Sequence, residues 1–456
     1  AAGLGIAPIS SFAAGHSNNI AAPKGDKVKI AFIGIGNRGE QDVDEFARTG
    51  MIDVVALCDV DLDGKQTQKV LAKYPNAKRF RDFREMFEKY GNQFEAVVVP
   101  DHMHFPVAMM ALDYGKHIYL EKPMTRTFIE AELLMQKARK NPNVVTQVGN
   151  QGHSEANYFQ FKAWKEAGII KDVTAITAHM NNPRRWHGYD ANISRFPEAQ
   201  PVPKNMDWDT WLGACQWHDF SDKFHQGNWR CWYDFGMGAL GDWGAHILDA
   251  AHEFLDMGLP YEISLTYEKG HNDYFFPYSS TILFRFGARG NMPPCDVTWY
   301  DGIDNLPPLP KGYGTSEYNA DIPSTNQGDT PKANINPGKI IYSRDLIFKG
   351  GSHGSTLSII GEKAEEMKSR LPEVPKSPSN HYANFLLACQ GKEKTRSPFE
   401  INGVLSQVFC LGVIAQRLNT QLFFDPRIKQ FTNNAFANAL LAGMPPRKGW
   451  EDFYKV

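Results

Sequence analysis

The chain has 456 residues, which is long for one hydrophobic core and predicts two domains with sizeable insertions. Hydrophobic residues make up 42% and charged residues 22%, as in ordinary globular proteins, and the formal net charge of −2 leaves no basic surplus to neutralise nucleic acid. After the first residues no run of 18 apolar residues occurs, so the body of the chain reads as free of a membrane span. The six cysteines (Cys58, Cys215, Cys231, Cys295, Cys389 and Cys410) form no CxxC pair, so they predict buried free thiols and not a thiolate zinc site.

In chain order, Ala1–Ala14 is small, apolar and uncharged, like the core and cleavage zone of an export signal, and predicts a periplasmic or otherwise exported protein, with the cytoplasm as the alternative. Residues 1–26 are read as this leader and a linker. Val28–Ile35, Ile52–Cys58, Ala96–Val99, His117–Leu120 and Val144–Val148 are short apolar runs of buried-strand type. Gln41–Arg48, Leu62–Lys73, Asp82–Tyr90, Pro106–Tyr114 and Phe128–Arg139 between them have helical spacing. This alternation predicts a doubly wound parallel sheet, a Rossmann domain over 27–150. Residues 151–456 predict a second domain on a large, mainly antiparallel open sheet. Its elements are a linking helix Ser154–Ala167, strands Val173–Met180, Glu262–Glu268, Ser280–Phe286, Cys295–Tyr300 and Leu357–Ile360, and helices Gly241–Leu255, Asn380–Cys389 and Glu400–Leu418. Residues 183–235 are aromatic and irregular, and 302–339 read as a loop.

The first strand runs into Gly34-Ile35-Gly36-Asn37-Arg38-Gly39, a GxGxxG between strand and helix. The first glycine permits a tight turn, the second lets backbone approach a pyrophosphate, and the third lets helix pack on strand. Asp59 closes the second strand where a carboxylate accepts from ribose hydroxyls and repels a 2′-phosphate, which predicts NAD. Arg38 beside the turn is a candidate phosphate partner that leaves NADP possible.

His117–Leu120 ends in Glu121-Lys122-Pro123, at the carboxyl edge of the parallel sheet where ligands bind. GIGNRG, CDVD, PDHMH (Pro100–His104) and EKP together resemble the Gfo/Idh/MocA oxidoreductases. NQGHS (Asn150–Ser154), GALGDWGAHILD (Gly238–Asp249) and PPRKGW (Pro445–Trp450) resemble the exported, Bacteroidetes-type branch. The resemblance implies a Rossmann domain joined to an open sheet that packs over the nicotinamide, with Lys122 beside the reacting hydroxyl. It also implies a catalytic set of Lys122, Asp242 and His246, and assembly as a homodimer or homotetramer. Pro100, His102, His104 and Glu121 are expected along the cofactor cleft, the HxH lining it and not holding a metal.

Asp242 and His246, four apart, share a helical face, and Asp249 follows three residues on. Imidazole suits a general base near neutrality, so His246 is expected to take the hydroxyl proton, with Lys122 as its partner and Asp242 orienting the site. Asn150, Gln151, His153 and Asp249 are expected to reach substrate. Seven of the ten tryptophans fall between Trp186 and Trp243. With Arg184, Trp186 and Trp232 they point to a sugar or glycoside, although most of these indoles are expected to fill core. The leading expectation is an NAD(P)-dependent sugar or glycoside dehydrogenase. The alternatives are an NAD-dependent glycosidase or lyase that makes no net NADH, and a non-catalytic sugar or NAD sensor.

Overall fold

In a computed structural model the chain is described at residues 27–99, 103–181, 192–225, 227–302, 305–314 and 335–456. The first sheet contains β1 (Val28–Ile33), β2 (Ile52–Cys58), β3 (Lys78–Phe80), β4 (Ala96–Val99), β5 (His117–Leu120) and β6 (Thr146–Val148). They lie in the order β3-β2-β1-β4-β5-β6, all parallel. This is the Rossmann arrangement, with its switch point between β1 and β4. The reason is in the strands themselves: Ala96-Val97-Val98-Val99 is buried at every residue, as a strand covered by helices on both faces must be. β3 escaped the sequence reading because it is three residues long and two of them are exposed.

The second sheet contains β7 (Val173–Met180), β8 (Glu262–Lys269), β9 (Ser279–Phe286), β10 (Cys295–Asp301), β11 (Gly338–Ser343), β12 (Ile347–Gly351), β13 (Ser358–Ile360), β14 (Gln421–Asp425) and β15 (Gln430–Phe431). Its order is β13-β12-β11-β7-β10-β9-β8-β14-β15. Only the β7–β10 pair is parallel among these nine strands. β11, β12, β14 and β15 were not anticipated: two sit beside the Pro/Gly-rich stretch and two form the short edge of the sheet.

Between the sheets runs the helix Phe399–Leu418. It has the length and composition of a membrane span, yet 78% of it is buried inside the protein. It packs against the helices Phe128–Lys140 and Gly238–Ile247. Close approach to Gly238–Ile247 depends on two glycines. A Cβ on Gly244 would stand 2.9 Å from Phe409 Cε1, and one on Gly412 2.6 Å from both Leu240 and Phe284. The segment predicted as one helix over Gly241–Leu255 is in fact two, Gly238–Ile247 and Asp249–Phe254, with Leu248 as the joint.

The glycine crossing sets where Gly238–Ile247 lies. Gly412→Ala is expected to lower unfolding free energy by ~1–3 kcal/mol through overpacking. Gly391→Ala, where nothing stands within 4 Å but φ is +72°, tests backbone strain without crowding. Equal and negligible losses in urea melts of the two variants would contradict the crossing argument.

Candidate active site

The turn after β1 has the geometry its glycines suggest. Gly34 sits at φ 79° and donates its N–H to the Cys58 carbonyl (2.7 Å). A side chain at Gly36 would collide with Gln66 Cγ at 2.6 Å. Asn37, at φ 50°, leads into the helix Arg38–Arg48, whose first turn contains Gly39. Asp59 accepts the Ile35 N–H at 2.8 Å and the Asp61 N–H at 2.9 Å. Burial raises the pKa of its carboxyl, and the backbone donors hold it down. Gly34, Gly36, Asn37, Asp59 and Asp61 border a solvent-open cleft of about 900 Å³. Its far wall comes from the second domain, with Thr210, Trp211 and Trp229. Backbone approach at Gly36, a helix N-terminus and a carboxylate at the end of β2 fit a dinucleotide. The sequence reading did not single out Thr210, nor Arg81, which lines the same cleft and pairs with Asp63 at 2.7 Å.

Lys122 stands two residues past the end of β5. Its Nζ donates to Asp242 Oδ1 at 2.6 Å and to the Asp242 carbonyl at 3.0 Å. The pair is largely buried and joins the first domain to the second. His104 donates its Nδ1–H to the Pro123 carbonyl (2.9 Å) and lines the same cavity as Lys122 and Asp242.

His246 is buried, and its Nδ1 has no hydrogen-bond partner among the described residues. Asp242 pairs with Lys122 and not with His246. The imidazole instead stacks face to face on His353, centroids 3.9 Å apart and planes 17° apart. The His353 N–H donates to the His246 carbonyl (3.0 Å), its Nδ1 meets Ser352 Oγ (3.0 Å), and the Trp243 ring stands edge-on 5.5 Å away. Sequence reasoning did not find His353. Its signal was a histidine between glycines, Gly351-Ser352-His353-Gly354, and it occupies φ 51° there. Burial pushes the His246 pKa well below its usual value, reinforced by His353 and Lys122 and opposed by Asp242. His353 is pushed down to about 4, first by burial and then by Lys122. Both rings are therefore neutral in the working range, available as acceptors and not as acids.

Several expected site residues are placed elsewhere. Arg38 does not stand open to a phosphate: its guanidinium pairs with Glu121 and Asp42, each at 2.8 Å, and donates to Tyr382 (3.1 Å). Glu121 is buried and also accepts from Gln151 (3.1 Å), so Arg38, Glu121 and Gln151 form one network outside the lining of the cleft at Gly34 and Gly36. Asn150 is buried and donates to the Ala245 carbonyl (2.8 Å). Asp249 does not reach the His246 imidazole, because the break at Leu248 turns it toward His153, 3.6 Å away. His153 itself is buried against the Arg396 carbonyl (2.9 Å). Trp232 is fully buried, donating to the Lys223 carbonyl (3.0 Å) among Phe196, Phe224 and Phe275. Of the described tryptophans in that stretch, Trp211 and Trp229 border the cavities, while Trp217 is exposed. Pro100, His102, Arg184 and Trp186 lie outside the described residues.

Two outcomes follow from the neutral imidazoles. His117, His179, His252 and His353 are each pushed down to about 4 by burial, and His381 to about 3. The unfolded chain, titrating near 6.5, then binds more protons than the native one below that pH. Stability is complete above pH 6.5 and is lost as pH falls toward 4, which thermal melts across pH 7.5–4.5 check; a flat Tm would refute it. In a histidine-labelled NMR titration, His353→Phe keeps the stack and removes a repelling partner, so His246 is expected to titrate at a higher pH than in the wild type.

Residues 28–149 match the model described as "Oxidoreductase family, NAD-binding Rossmann fold", and 167–288 match "Oxidoreductase family, C-terminal alpha/beta domain". The chain is 27% identical over 173 residues to an inositol 2-dehydrogenase of Salmonella paratyphi B, covering 38% of this chain and 48% of the relative. It is 28% identical over 225 residues to a glycosyl hydrolase family 109 protein of Shewanella sp. (strain ANA-3), covering 43% and 48%. The chain thus spans about half the length of the curated relatives it matches. Its fold is similar to the WlbA dehydrogenase of Bordetella pertussis in complex with NADH and UDP-GlcNAcA (TM-score 0.57, 13% identity, 88% of this chain and 99% of that one). It is also similar to an aldose-aldose oxidoreductase of Caulobacter crescentus (TM-score 0.53, 13% identity, 87% and 100%). With both domains matched in sequence and the same pairing of sheets in the structure, the chain belongs to the Gfo/Idh/MocA oxidoreductase family.

Proposed function

We propose that the protein oxidises or reduces a secondary hydroxyl of a sugar or glycoside by hydride transfer, with NAD preferred over NADP. The observation that carries this is the Lys122 ammonium, held 2.6 Å from Asp242 in a cavity between the domains and beside neutral His246. Gly34, Gly36, Asn37 and Asp59 would hold the dinucleotide. The cofactor, when bound, takes up or returns the hydride. Lys122 has two of its three N–H groups on Asp242, and the third is directed to the substrate oxygen, where it stabilises developing negative charge. Asp242 fixes the ammonium in place. His246 enters uncharged and so can receive the hydroxyl proton; burial, His353 and Lys122 weaken it as a base, and the Asp242 carboxylate offsets part of that loss. NAD is preferred because Asp59 would repel a 2′-phosphate and because Arg38 is committed to Glu121 and Asp42.

The glycosyl hydrolase family 109 relatives favour a second reading, in which oxidation and reduction close within one cycle and an aglycone leaves with no net reduced cofactor. Export, proposed from Ala1–Ala14, fits that cycle, since little free NAD exists outside the cytoplasm. Cell fractionation tests export, and light scattering tests the proposed dimer or tetramer.

Nitrophenyl glycosides and matching free sugars, offered with and without NAD, separate the readings. NADH growth without nitrophenol supports a dehydrogenase, and nitrophenol without net NADH supports the closed cycle. Lys122→Met is expected to lower kcat by ~10²–10⁴ in either case. Full activity in that variant would remove the basis of both.

A further inference from the structure

Hydride transfer leaves the Arg126 guanidinium of the cavity wall unexplained. Arg126 stands four residues past Lys122, in the turn before the helix Phe128–Lys140. It shares with Lys122, Asp242, Glu130, Trp229 and Arg230 the wall of one solvent-open cavity. Its side chain is 19% exposed, so the guanidinium is mostly withdrawn from water but open on one side. Nη1 donates to the Asp234 carbonyl. The nearest carboxylate, Glu130, is 3.8 Å away, beyond a hydrogen bond. Glu130 is also engaged elsewhere: it accepts from Tyr454 Oη at 2.7 Å and from the Thr127 N–H at 3.1 Å as part of a helix cap. A guanidinium carries five N–H donors, and a largely buried one with a single hydrogen bond among the described residues is under-compensated. Arg126 borders this cavity and also a second one, shared with Asp234 and Arg417, so its remaining donors are available at the wall that it forms with Lys122.

We propose that the substrate is an acidic sugar, a uronic acid or a glycoside of one, whose carboxylate pairs with Arg126 while its reacting hydroxyl lies at Lys122. The inference rests on the sugar reading above and narrows it. Two features favour a carboxylate over a phosphate. The flat pair of carboxylate oxygens matches the guanidinium fork. The wall also carries the carboxylates of Glu130 and Asp242, which repel a dianionic phosphate more than a monoanionic carboxylate.

The test is binding to the NAD-loaded protein, followed by calorimetry and by tryptophan fluorescence, since Trp229 lies in the wall. Methyl glucuronide and methyl galacturonide are compared with the matching neutral methyl glycosides and with glucose 6-phosphate. The uronides are expected to bind at least about tenfold more tightly than their neutral partners, with the advantage shrinking as salt rises. Arg126→Gln should remove that advantage and leave the affinity for neutral glycosides unchanged, and Arg126→Lys should retain part of it. Equal binding of acidic and neutral sugars, or an Arg126→Gln loss that is the same for both, would overturn the proposal. A preference for the sugar phosphate would overturn the carboxylate. If no sugar of either charge binds, the sugar reading falls first and this one with it. Should Arg126→Gln not fold, the wild-type charge preference and its salt dependence still decide.

Discussion

The contact between Lys122 and Asp242 is the constraint around which the rest of the molecule is arranged. It joins the carboxyl end of β5 to a helix of the other domain through two hydrogen bonds from one ammonium. A largely buried ion pair recovers its desolvation cost only when the geometry is good and further hydrogen bonds help, and the Asp242 carbonyl supplies the second bond. Each partner must therefore be delivered to its place by rigid elements. β5 is buried at all four residues, and the helix Gly238–Ile247 is pressed against Phe399–Leu418 at glycines that admit no side chain.

Around that pair, most buried polar groups serve to lock the domains together and not to meet ligands. Arg38 reaches from the glycine turn to Glu121 and Tyr382; Asn150 reaches from the end of β6 to the Ala245 carbonyl. Gln147 donates to the His381 carbonyl at 2.8 Å, and Ser397 to the Val148 carbonyl at 2.7 Å. Such bonds hold the cleft walls at fixed separation, which a hydride-transfer site needs more than extra affinity. They also explain why chemically attractive residues such as Glu121 and Asn150 are buried: buried polar groups have to be paired, and these are taken by Arg38 and Gln151 and by the Ala245 carbonyl.

Charge is handled in the same economical way. Lys122, Arg126 and Arg230 line the cavity, and the nearby imidazoles of His246 and His353 are kept neutral by burial and by the cations Lys122 and Arg38. A stacked, uncharged His246–His353 pair avoids adding positive repulsion beside Lys122, so the ammonium remains the principal electrostatic feature that a substrate oxygen meets.

From its sequence alone the chain determined its local elements and the residues that must lie at strand ends. Apolar runs such as Ala96–Val99 specify covered parallel strands, GxGxxG specifies the turn at Gly34–Gly39, and Lys122 at the end of β5 is a consequence of period and length. These signals are local, and the glycine turn and the place of Lys122 were legible from them, whereas grouping Lys122 with Asp242 and His246 came from the family resemblance. What tertiary structure alone decided was which polar residue faces which neighbour. A break at Leu248 diverts Asp249 from His246, packing seals Trp232, and β12 carries His353 from more than 100 residues away onto His246. Periodicity cannot encode these outcomes, because they depend on burial and on pairings between segments distant in sequence, where each polar group takes the partner that the packed core leaves within reach.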